Sequence, residues 1–90
     1  MNIERFHNEL ALRLGYERIV KDRRISISVE ECDDPWVTLT TPGSGKDIRF
    51  KASDTAEEVF FEDTLIMQDE IKVIIDAVHQ AYIKATTNPF

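Results

Sequence analysis

Three runs of alternating side chains lie between Ile25 and Ala52. In the first, Ile25, Ile27 and Val29 point to one side and Ser26, Ser28 and Glu30 to the other, which is the period of a strand with one buried face. Val37 and Leu39 alternate with Trp36, Thr38 and Thr40 in the second run, and Ile48, Phe50 and Ala52 alternate with Asp47, Arg49 and Lys51 in the third. Runs joined by short turns predict an antiparallel meander, and a sheet that is apolar on one face requires a covering layer. Two helical patterns flank it. Ile3, Phe6, Leu10, Ala11 and Leu14 recur at spacings of three and four, with Asn2 placed to cap the start and Gly15 to end the helix. Met67, Ile71, Ile74, Ile75, Val78, Tyr82 and Ala85 form a longer stripe, which predicts a second helix beginning near Gln68. Asp69 and Glu70 fall in its first turn and Lys84 near its end, each sign suited to the helix dipole.

The fold class that follows is α+β. A three-stranded antiparallel sheet is covered on one face by the N- and C-terminal helices, in the order α-β-β-β-(short α)-α. The short helix is expected after the third strand, where Asp54 with Glu57 matches a capping box ahead of Ala56, Val59 and Phe60. Residues 16–24 read either as a short fourth strand or as an extended connection, and residues 62–67 as a crossing segment. The expected core is Phe6, Leu10, Leu14, Ile27, Val29, Val37, Leu39, Ile48, Phe50, Ile71, Ile75 and Val78.

Length and composition narrow the function classes. Ninety residues make one domain, too small to enclose a deep substrate cavity as well as a core. A hydrophobic share of 42% with 31% charged residues fits a soluble globule and neither a disordered nor a membrane chain. No basic-then-apolar leader precedes the first helix, so a cytoplasmic location is expected, and the lone Cys32 fits a reducing compartment. The net charge of −6 is polarised along the chain. Residues 1–24 carry six basic and four acidic side chains, whereas residues 52–90 carry two and eight. An acidic half disfavours nucleic acid and anionic lipid as its ligand and favours basic partners.

No constellation of residues specifies a reaction. His7 and His79 stand on separate helices without a nucleophile beside either, and the paired carboxylates sit in exposed or loop-like settings that would not raise a pKa for acid catalysis. The turn Glu30, Glu31, Cys32, Asp33, Asp34, Pro35 lacks the ligand spacing and central Gly of a calcium loop. Gly43, Ser44, Gly45 and Lys46 resemble part of a phosphate loop, but Thr40 and Asp47 occupy the positions that a Walker A motif gives to Gly and to Ser or Thr. A strand rather than a helix follows, so the segment reads as a hairpin loop. No catalytic residue, cofactor or metal is expected, and the chain reads as a non-enzyme.

Two surfaces remain as candidates. Trp36 falls on the face of the sheet opposite Val37 and Leu39, where a large aromatic can anchor a partner, unless a bulge after Pro35 turns it inward. Asp54, Glu57, Glu58, Glu62, Asp63, Asp69, Glu70 and Asp76 crowd one stretch with Lys72 as its only cation. Negative charge so spread can imitate the phosphates of nucleic acid toward a basic protein groove. The rival is a nucleic-acid-binding module using Arg18, Lys21, Arg23 and Arg24, the one basic cluster. A homodimer through the Trp36 face or an edge strand is a further candidate.

The order helix, three strands, helix resembles the double-stranded-RNA-binding domain. That family places basic residues at the start of its second helix, where this chain has Asp69 and Glu70, so RNA binding does not carry over. In size, charge and layout the chain is also similar to small acidic phage inhibitors, among them anti-CRISPR proteins that mimic nucleic acid. Fold-level likeness of this kind implies a non-catalytic protein-binding role and rests on no shared motif.

Overall fold

The computed structural model describes residues 1–14, 25–40, 47–59 and 68–87. Helix α1 spans Ile3–Leu14, strands β1, β2 and β3 span Ser26–Glu30, Trp36–Thr40 and Asp47–Lys51, and helix α2 spans Gln68–Thr86. The α+β order read from the sequence is the observed one, the short helix after the third strand apart. Asn2 caps α1 through its Oδ1, which accepts from the Arg5 backbone N–H at 3.0 Å and satisfies one of the amides that a helix start leaves without a partner. At the other end of the chain, Thr86 and Thr87 turn their hydroxyls back onto the carbonyls of Tyr82 and Ile83 and close the last turn of α2.

The strands form one antiparallel sheet in the order β1-β2-β3 with no bulge. Ile27 pairs with Leu39 and Leu39 with Ile48, while Val29 pairs with Val37 and Val37 with Phe50. One register therefore stacks all the apolar positions on one face. Phe6, Leu10 and Leu14 from α1 and Ile71, Ile74, Ile75, Val78, Ala81 and Ala85 from α2 meet that face to make one continuous core.

Two expectations need correction. Ile27 and Val29 pack against the core but are only half-buried, because β1 is flanked on one side alone among the described residues and a shallow groove of about 350 Å³ separates it from α1. In α2 the stripe faces the core as expected, with Tyr82 half-buried against it and Ala81 fully buried beside it. The short helix does not form over Asp54–Val59, where the chain makes turns; Phe60 lies outside the described residues. Asp54 points backwards to accept from the Lys51 N–H at 2.9 Å, and it is Thr55 that bonds Glu58, with Thr55 Oγ1 donating to Glu58 Oε1 at 3.0 Å. Gly15, residues 16–24 and residues 62–67 also lie outside the described residues.

Candidate interaction surfaces

The sheet has one end at which β1 finishes, β2 begins and β3 finishes, since Glu30, Trp36 and Lys51 form one row of the register. The connection from β1 to β2 and the segment after β3 are therefore neighbours, and hydrogen bonds lock them together. Pro35 is buried and its carbonyl accepts from the Ala52 N–H at 2.8 Å. Asp34 receives the Ser53 N–H on Oδ1 at 3.1 Å and the Ser53 hydroxyl on Oδ2 at 2.6 Å. A charge-assisted pair of this kind, partly buried, holds both segments in one conformation. On the helix side, His7 Nε2 lies 3.1 Å from Glu31 Oε1 and ties α1 to the same end.

The two neighbouring segments carry seven carboxylates between them: Glu30, Glu31, Asp33 and Asp34 on one, Asp54, Glu57 and Glu58 on the other. Glu31, Asp33, Glu57 and Glu58 are exposed, whereas Asp34 and Asp54 are partly buried and engaged with the backbone. The two groups are 20 or more positions apart in the sequence, and it is the meander register that makes their segments neighbours. Among the described residues no group of three or more His, Cys, Asp or Glu side chains is arranged to hold a metal ion.

Asp69 and Glu70 belong elsewhere. The Asn2 N–H donates to the Ala85 carbonyl at 3.2 Å, so the start of α1 meets the end of α2. It is thus the C-terminal end of α2 that lies toward the carboxylate-rich turn, on the side where His7 reaches Glu31. Asp69 stands about 24 Å further along α2 at 1.5 Å per residue. Glu62 and Asp63, like the basic cluster Arg18, Lys21, Arg23 and Arg24, lie outside the described residues.

Trp36 is half-buried on the face of the sheet turned away from the helices, beside fully buried Val37. It does not stand bare. The Arg49 guanidinium carbon is 4.6 Å from its ring centroid and the Lys51 amine 5.3 Å, both within cation–π range. Arg49 also crosses β2 to donate to Glu30 Oε2 at 3.0 Å. Around this stack Ser28, Glu30, Thr38, Asp47 and Arg49 line a shallow, open polar depression.

No protein-family model, curated protein or solved structure matches the chain. No helix among the described residues is long and apolar enough to cross a membrane.

Proposed function

We propose that this is a non-catalytic binding protein whose acidic end docks on a basic surface of another protein, in the manner of an inhibitor that imitates nucleic acid. The observation that supports the reading is the carboxylate-rich end of the sheet, where two segments are fastened by Asp34, Ser53 and Pro35. Charges carried on segments already fastened to each other spare part of the ordering cost of binding, and complementary charge raises the association rate and rejects acidic competitors. The preferred ligand-facing residues are Glu31, Asp33, Glu57 and Glu58, which are exposed, with Asp54 behind them. Asp69 and Glu70 form a separate acidic site at the start of α2.

The test is a binding measurement on a basic, nucleic-acid-binding protein captured from host lysate, carried through a salt series. Binding should weaken as ionic strength rises and should be lost on reversal of Glu57 and Glu58 together with Asp33, while reversal of Asp69 and Glu70 changes it little. The rival nucleic-acid module predicts instead that the purified protein shifts DNA or RNA and that reversal of Arg23 and Arg24 abolishes the shift. That result would replace the proposal.

A further inference from the structure

The open face of the sheet is three rows deep. The register sets Glu30, Trp36 and Lys51 side by side in the first row, Ser28, Thr38 and Arg49 in the second, and Ser26, Thr40 and Asp47 in the third. Trp36 and Thr38 are half-buried and the other seven are exposed. In the first row the acid lies on the β1 side, the base on the β3 side and the aromatic midway. Such a row is complementary to its own reversal.

From this arrangement we infer that the open face pairs with the same face of a second copy, about a two-fold axis running parallel to β2. That axis exchanges the β1 and β3 sides and preserves position along the strands. Glu30 of each copy then faces Lys51 of the other, and the two Trp36 side chains, each beneath its own Arg49 and Lys51, lie nearest the axis. Ser28 faces Arg49 and Ser26 faces Asp47, so no like charges are opposed. A two-fold axis across the strands would set Arg49 against Arg49, which is repulsive. Self-complementarity under one rotation is what an isologous contact requires.

The patch is small. Three strands about 4.8 Å apart and five residues of about 3.4 Å each give roughly 14 by 17 Å. This is well under the roughly 800 Å² per partner of a standard stable interface, so the association is weak and sensitive to salt. The same axis places the carboxylate-rich ends of both copies side by side, and their repulsion lowers the affinity further. The inference stands apart from the proposed function, because it concerns a different face and a different partner.

Sedimentation equilibrium from the micromolar to the millimolar range at low salt tests it on five proteins: the natural chain, Glu30→Lys, Lys51→Glu, the double swap and Thr38→Arg. The natural chain should dimerise reversibly, and each single reversal should raise the dimer dissociation constant more than about ten-fold, since it opposes like charges at two places. The double swap should recover to within about three-fold. Circular dichroism and thermal unfolding confirm that each variant folds. Thr38→Arg, on the axis, retains Glu30 and Lys51 and should also abolish the dimer. A chain that stays monomeric throughout, a dimer indifferent to these changes, or a double swap no better than the singles overturns the inference. So does a monomer whose Trp36 emission is quenched by a single-stranded oligonucleotide, which would assign the face to nucleic acid.

Discussion

Asp34 engages Ser53 with both carboxylate oxygens, across a gap in sequence that no local pattern spans. Replacing it by Ala leaves the Ser53 donors partly buried without acceptors and should lower stability by about 1 to 3 kcal/mol in urea denaturation. Ser53→Ala should cost less, and the double variant should cost less than the sum of the two. Ile75 offers the contrasting case. It is fully buried, and Ile75→Ala should cost about 2 to 5 kcal/mol through lost contacts and the cavity left behind. Ile75 could be identified from the chain alone because helical spacing is a local property. Asp34 could not, since it read as one charge among four in a solvated turn, and its partner becomes visible only once the register is known. Trp36 falls between them: alternation put it on the open face, but the cover of Arg49 and Lys51 depends on which residues β3 sets opposite it.

Among the elements, β1 departs most from expectation. Alternation establishes which way a side chain points, not how much lies above it, so Ile27 and Val29 look equivalent to Leu39 and Val37 in the sequence. In the fold β2 is the central strand, with Leu39 and Val37 fully buried, and β1 lies outside it beside the groove to α1. Ile27→Ala should therefore destabilise clearly less than Leu39→Ala, a difference that paired chemical denaturation curves will resolve. The turn after β3 teaches a similar lesson. Asp54 and Glu57 have the spacing of a helix start, but Asp54 is already engaged by the Lys51 amide and the following residues turn instead.

At the scale of the molecule, charge is concentrated where the strands of the meander end. Seven carboxylates lie on the segments at that end, with Lys51 and Arg49 as the cations beside them and the His7 ring against Glu31. Their mutual repulsion opposes folding, so added sodium chloride should raise the melting temperature, and Glu57→Lys should raise it most at low salt. Thermal unfolding across a salt series checks both; a melting temperature that falls with salt would count against net repulsion. The hydrogen bond between Asn2 and Ala85 has a different kind of consequence. It joins the start of the first element to the end of the last, so the chain closes on itself like a ring and neither half contains a complete core. On a ribosome, the first helix would emerge long before the surface it rests on, and the apolar side of the sheet would wait uncovered for α2. Folding of this unit should therefore wait until α2 is released.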